Sequence, residues 1–294
     1  MEIEAEVREV LKAEARLGEG VLWDAERQLV WFVDIKGHYL WHYDPETGSN
    51  ARAEAPGQIG WALPAENDLL LCGLKDGLYT FDPETQLFAK LMEVPGEPAG
   101  NRLNDACSDP WGRVWFGSMD DAEEQASGAF YLFDKGEIRQ AGPKGIAITN
   151  GPAVNASGTK IYFTDTLAQT ILVADLSESG VGEARLFADT GALFPDAYPD
   201  GPIVDAEEHV WTGLYLGGKV ARFSPAGELV ATVSLPGRDV TKLALGGPAL
   251  RTAYVTTATK NMEPADYAAH PASGSLLSFD SPVAGVKTTR VKLR

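Results

Sequence analysis

Short apolar runs punctuate the chain at a nearly constant interval. VWFVDI begins at Val30, LLCGLK at Leu70, VWFGSM at Val114, IYFTDT at Ile161, VWTGLY at Val210 and AYVTTA at Ala253, with spacings of 40, 44, 47, 49 and 43 residues. A second run follows each of them: YLWHYD ending at Asp44, GLYTFD at Asp82, AFYLFD at Asp134, TILVAD at Asp175, KVARFS at Ser224 and SLLSFD at Asp280. These runs are strand-length, rich in β-branched and aromatic residues, and bounded by the Gly, Pro, Asp and Asn that turn a chain. No long segment carries a helical period with caps. Units of this length with about four strands each are the repeat of a propeller blade. Six units predict an all-β fold, a six-bladed β-propeller with four-stranded antiparallel blades. A lone blade cannot cover both of its apolar faces, so residues 1–294 are expected to fold as a single domain without a linker. The segments near Val7–Glu14 and Thr288–Leu293 both read as strands, and one of them is expected to complete the last blade.

The repeat also places distant residues at a common height. Ten or eleven residues before each first run lie Glu19, Ile59, Asn104, Asn150, Asp200 and Lys242. They open the segments EGVLWD, IGWALP, NDACSD, NGPAVN, DGPIVD and KLALGG, which read as the innermost strands. Equivalent positions of innermost strands share one level of the central channel, and side chains alternate along a strand. Glu19, Asn104, Asn150 and Asp200 are therefore predicted to converge. Two carboxylates held together repel unless a cation lies between them. An all-oxygen set suits a hard divalent ion, calcium first and magnesium or manganese next, with zinc or ferrous iron less typical. Taken singly, Asn-Gly and Asp-Gly also serve as turn residues. Two residues before the ring stand Arg102 and Tyr198, expected at the rim, where a guanidinium fork or a phenol can hold substrate oxygens. Two residues after it come Val21, Trp61, Ala106, Pro152, Pro202 and Ala244, which predict a narrow, apolar channel below.

Composition narrows the function classes. Forty-two acidic against 25 basic residues give a formal net charge of −17, which argues against nucleic-acid binding. No run approaches the length of a membrane helix, and MEIEAEVREV lacks the apolar core of a secretory signal. Cys72 and Cys107 are too few for a disulfide framework and read as buried thiols in a reducing cytoplasm. The four histidines show no metal spacing: His38 and His42, four apart on a strand, do not converge on one ion. No nucleophile elbow or phosphate loop is present. Asp120, Asp121, Glu123 and Glu124 read as a solvated loop or a lid.

The motifs LGEG around Glu19, NRLND at 101–105, TNGP at 149–152 and YPDG at 198–201, in this order over nearly the whole chain, resemble the regucalcin/gluconolactonase (senescence-marker-protein) family of six-bladed propellers. TNGP and YPDG are most similar to bacterial sugar-acid lactonases such as xylonolactonases. The resemblance implies that Glu19, Asn150 and Asp200 ligate a metal ion, and that Arg102 and Asn104 contact substrate. Regucalcin-like members place a sugar-contacting Glu three residues after Gly-Thr-Met. Here GSMDDAEEQ puts Ala122 at that offset, with Glu123 or Glu124 as its replacement. The expected activity is metal-dependent hydrolysis of a pentono- or hexonolactone by a monomer, with Asp200 as candidate general base. Tyr198 and Glu123 join Arg102 and Asn104 as expected sugar contacts. A calcium-binding scaffold without catalysis, or a related esterase or phosphotriesterase, would share the architecture.

Overall fold

The computed structural model describes residues 1–294. Its strands form six separate antiparallel sheets. Blade 1 runs Gly18–Asp24, Leu29–Asp34, Tyr39–Tyr43 and Asn50–Glu54 from the axis outward, and blade 2 runs Ile59–Pro64, Leu70–Leu74, Gly77–Asp82 and Leu87–Met92. Blades 3, 4 and 5 have second strands Val114–Asp120, Lys160–Asp165 and Val210–Tyr215. In blade 6, Asp239–Gly246, Thr252–Ala258 and Leu276–Asp280 are joined by Arg8–Leu11 from the chain's beginning, which pairs antiparallel with Leu276–Asp280. The amino-terminal segment thus closes the ring. The carboxy-terminal segment does not complete a blade: it straps the lower face, where Val291 bridges Ala65 in parallel and Ser108 Oγ donates to Thr289 O at 2.6 Å.

Each sheet is apolar on both faces, and the packing follows from that. Six buried clusters lie between successive blades, one at every junction including that of blade 6 with blade 1. Aromatic pairs span several junctions: Trp61 with Phe116 between blades 2 and 3, Phe130 with Phe163 between 3 and 4, and Trp23 with Tyr254 between 1 and 6. Burial of such side chains contributes about 1.5–3 kcal/mol apiece, and only a closed ring covers every face.

The innermost strands share one irregularity. Pairing to the second strand slips between Glu19 and Leu22, Ile59 and Trp61, Leu103 and Ala106, Asn150 and Ala153, and Val240 and Leu243. In blade 5 the strand is broken into Tyr198–Pro199 and Ile203–Val204, since Pro202 cannot donate to a ladder. The bulge falls on the residue of the predicted ring. Gly20 and Gly151, immediately after Glu19 and Asn150, have φ of +57° and +75°, a backbone conformation that a side chain would strain. One short helix, Pro264–Ala269, follows blade 6's second strand, and no helix is long and apolar enough to cross a membrane.

Candidate metal and substrate site

The upper ends of the innermost strands bring Glu19, Asn104, Asn150 and Asp200 to one cavity of about 80 Å³, with Arg102 and Glu123 also in its wall. Ile59, at the same repeat phase, is buried outside it. A directional chain of hydrogen bonds orients the amides. Arg102 Nη1 donates to Asn104 Oδ1. Asn104 Nδ2 donates to Thr149 O at 2.6 Å and to Asn150 Oδ1 at 3.0 Å. Asn150 Nδ2 donates to Thr166 Oγ1 at 2.9 Å, which in turn donates to Pro199 O at 2.9 Å. Each of the two amide oxygens accepts one hydrogen bond, Asn104 Oδ1 from Arg102 and Asn150 Oδ1 from Asn104, and each keeps a second lone pair.

Glu19 and Asp200 each have one hydrogen-bond donor, where every other buried acid has at least two, Asp34 and Asp120 from backbone N–H groups alone. Glu19 is 4% exposed and Asp200 5%. Glu19 Oε2 accepts only the adjacent Gly20 N–H at 3.2 Å, and Asp200 Oδ1 only that of Gly201 at 2.8 Å. Neither has a cationic side chain at ion-pair distance, whereas buried Asp24, Asp105, Asp109, Asp205 and Asp239 each have one. Burial first, then the neighbouring Asp200 carboxylate, raises the Glu19 pKa well above the usual range. Burial, with Asp105 adding to it, pushes Asp200 up to about 7. Two desolvated carboxylates short of donors, beside carboxamide oxygens, are a donor set that a hard dication completes. No group of three or more His, Cys, Asp or Glu side chains is placed to hold a metal, so a cation here would draw on two carboxylates and amide oxygens.

Above the ring, the loop after Asp120 is not the solvated lid that its charges suggest. Asp120 is buried and accepts the N–H groups of Glu124 and Gln125 at 3.0 Å. Asp121 joins blades 1, 2 and 3, accepting from Lys36 at 2.6 Å, Gln58 at 2.8 Å and Lys75 at 3.1 Å, with Arg102 Nε 3.2 Å away. Partial burial opposes its ionisation, but those donors hold it well below the usual carboxylate range. Its grip on the guanidinium fixes Arg102 over Asn104. Glu123 pairs with Lys260 of blade 6, and both line the cavity. Glu124 is exposed and outside the lining.

Tyr198 needs correction. It is half-buried at the start of blade 5 and does not line the cavity; its cross-strand partner Tyr215 does. The break around Pro199–Pro202 ended the alternation on which the expectation rested. The channel below is likewise not narrow. It opens into a chamber of about 230 Å³ whose wall includes Val21, Trp61, Ala106, Pro202 and Ala244, as well as Gly20, Asp105 and Lys242, and which the strap at 285–289 lines from beneath. The bulge brings the residue after the ring position into the channel, an effect invisible to strict alternation. Lys242, expected in the ring, lines this lower chamber and pairs with Asp105. Sequence reasoning missed Asp105, Thr166, Tyr215 and Lys260. Asp105 left a trace, being the one charged residue at a phase otherwise held by Gly20, Gly60, Gly151, Leu243 and Gly201. Cys72 is buried and Cys107 half-buried, both free, and His42 packs edge-on to Trp31.

Fold and site together define a six-bladed propeller with an oxygen-rich pocket at one mouth of its channel. Residues 17–259 match the SMP-30/gluconolactonase/LRE-like region, and the chain belongs to that family. It is 32% identical to an L-arabinolactonase of Azospirillum brasilense over 280 residues, 93% of this chain and 91% of that protein. It is 29% identical to a 6-deoxy-6-sulfogluconolactonase of Pseudomonas putida over 276 residues, 94% and 95% of the two. The crystal structure of a calcium-binding protein, regucalcin, from Agrobacterium tumefaciens superposes with a TM-score of 0.89, covering 97% and 98% of the chains at 24% identity.

Proposed function

We propose that the chain hydrolyses a sugar lactone, a pentono- or hexonolactone, to the open aldonic acid, with a divalent cation held by Glu19, Asn150 and Asp200 and calcium as first choice. The observation that carries this reading is the pair of adjacent buried carboxylates with a single N–H donor each, in a protein whose other buried acids all have at least two donors. Two relatives over nearly the full chain are named as sugar lactonases, which supports the substrate class.

When bound, a dication supplies Lewis acidity to the ester carbonyl and lowers the pKa of a coordinated water. The chain's own groups do the rest. Asp200 holds Oδ1 on the Gly201 N–H and leaves Oδ2 without a protein donor, free to take the proton of the attacking water. Arg102, clamped by Asp121, and Asn104 orient the sugar hydroxyls, so attack occurs within one assembled site. The cavity lined by these residues is open to solvent on the side of Glu123 and Lys260. Glu123 and Lys260, paired in the cavity wall, are placed for a sugar hydroxyl to exchange for that ion pair.

The deciding experiment is a pH-stat assay of chelator-stripped protein, crossing pentono- and hexonolactones with divalent ions. Acid release that returns with a divalent ion is expected. The similarity to a calcium-binding protein of Agrobacterium tumefaciens motivates a second, non-catalytic reading. Cation binding without acid release from any lactone would establish that reading instead.

A further inference from the structure

Two ion pairs cross the channel on one diameter, between blade 3 and its opposite, blade 6. Glu123–Lys260 lies above the oxygen ring and Asp105–Lys242 below it. The lower pair is the more buried, with Asp105 1% and Lys242 6% exposed. Lys242 donates to both oxygens of Asp105, at 2.7 and 2.6 Å. Its stem passes over Gly201, where a side chain would come within 2.6 Å of Lys242 Cγ. The glycine after Asp200 is thus the space through which Lys242 reaches the axis. Asp105 also accepts the N–H of Ala106 at 2.8 Å and that of Gly151 at 3.0 Å, the residue after Asn150.

The charges of this layer act on the ring. Asp105 follows Asn104 and accepts the N–H of the residue after Asn150, and Lys242 passes over the residue after Asp200, so both buried charges lie directly beneath the ring. We propose that Lys242 is a positioning residue that sets the charge of the cation site: by cancelling Asp105 it leaves the ring with the two negative charges of Glu19 and Asp200, matched to a dication rather than a trication. It also holds Asp105 off the ring, so that Asp105 braces the backbone behind Asn150 instead of becoming a third carboxylate ligand. The inference rests on the cation reading above, and the measurement below separates their failures.

Calorimetric titration with calcium and with terbium, on intact protein, tests it. Lys242→Met leaves three net charges below and around the ion. Calcium should bind at least about tenfold tighter, and terbium should gain more, since Coulomb attraction scales with ion charge. Asp105→Asn leaves Lys242 uncompensated beneath the ring, and calcium should weaken by at least about tenfold. The double variant restores two charges and should return calcium affinity to within about threefold of the parent. Lys242→Arg should preserve the parent's preference. A purely structural strut gives another pattern, in which every variant weakens both ions alike with their ratio unchanged, and that result overturns the proposal. If Lys242→Met does not fold, Asp105→Asn and the double variant decide alone: equal weakening in both counts against a charge role. A parent protein that binds neither ion refutes the cation reading itself, and this inference with it.

Discussion

The two ends of the innermost strands carry nearly the same residues and do opposite things with them. Five positions after Glu19, Asn104, Asn150 and Asp200 stand Asp24, Asp109, Asn155 and Asp205, all buried. At the lower end every oxygen is engaged. Asp109 takes the N–H groups of Trp111 and Arg113, the Arg113 guanidinium at 2.6 Å and the Trp115 indole at 2.9 Å. Asp205 repeats the arrangement with Glu207, His209, Arg222 at 2.8 Å and Trp211 at 2.9 Å. At the upper end Glu19 and Asp200 have one neighbouring N–H each. Burial of an acid in this fold therefore says nothing about its role. The supply of donors does, because a buried acid short of donors must either keep its proton or be completed by a cation from outside.

The sharpest way to break the comparison is to neutralise one acid at each end. Asp200→Asn should lower the lactonase rate by roughly a hundredfold to a thousandfold, the several kcal/mol expected of a lost metal ligand and base. Its chelator-treated form should be no less stable than the parent, since a desolvated charge has been removed. Retained activity in Asp200→Asn at limiting metal would remove this carboxylate from the site.

The upper acids also leave a signature in the pH dependence of stability. Asp200 rises from a usual value of 3.8 to about 7, and Glu19 moves the same way. Between those values the folded, metal-free protein holds protons that the unfolded chain has released. The stability this contributes is complete at and below the usual pKa and is lost as pH climbs through about 7, by at most about 4 kcal/mol for Asp200. Melting temperature of chelator-treated protein should fall across that window, while the rise produced by added calcium should grow. A metal-free melting curve flat from about pH 4 to about 8 would contradict the shifts.

How much of this could be read beforehand follows from what each strand faces. The second strands are buried on both sides, so VWFVDI and its five counterparts announced themselves as continuous apolar runs, and the blade count followed. The ring phase was equally legible, because counting back from those runs needs no knowledge of the inner strand's geometry. What lay beyond the ring was not. The shared bulge resets the alternation one residue after Glu19, Asn104 and Asn150, so Asp105 reached the channel, and the break in the inner strand of blade 5 left Tyr198 outside the cavity lining. Pairings such as Asp121 with Lys36 and Lys75, or Glu123 with Lys260, join loops from different blades, and no local pattern encodes them.

At the lower end, Asp205→Ala should cost stability and spare chemistry. It leaves the Trp211 indole N–H buried and unpaired and strips Arg222 of its inner partner, although Arg222 retains Glu207 at 2.8 Å. A loss of about 3 kcal/mol in denaturant unfolding is expected, with kcat/KM per folded molecule close to the parent. A drop in kcat/KM without loss of stability would mean that the lower end participates in the site after all.

The smallest expected effect discriminates between the two asparagines at opposite ends of adjoining blades. Asn104 at the upper end spends its amide on other side chains and on a carbonyl: it accepts from Arg102 and donates to Thr149 O and Asn150. Asn155 at the lower end spends its oxygen on the turn it caps, accepting the N–H groups of Thr159 and Lys160 at 2.9 Å each. Truncating either removes hydrogen bonds of comparable strength, about 1–1.5 kcal/mol net, but the energy should be missed in different measurements. In Asn104→Ala the guanidinium loses its guide toward the ring, so KM for the lactone should rise by up to about tenfold while kcat and the unfolding midpoint change little. In Asn155→Ala the unfolding midpoint should drop and KM should hold. The Arg102 contact makes the test specific, because Asn104→Gln, one methylene longer, keeps the amide chemistry but displaces it, and should reproduce the KM effect rather than rescue it. Equal loss of stability in Asn104→Ala and Asn155→Ala, with KM unmoved in both, would show that the upper asparagine is a turn residue like its lower counterpart and that substrate orientation falls to Arg102 and Asp121 alone.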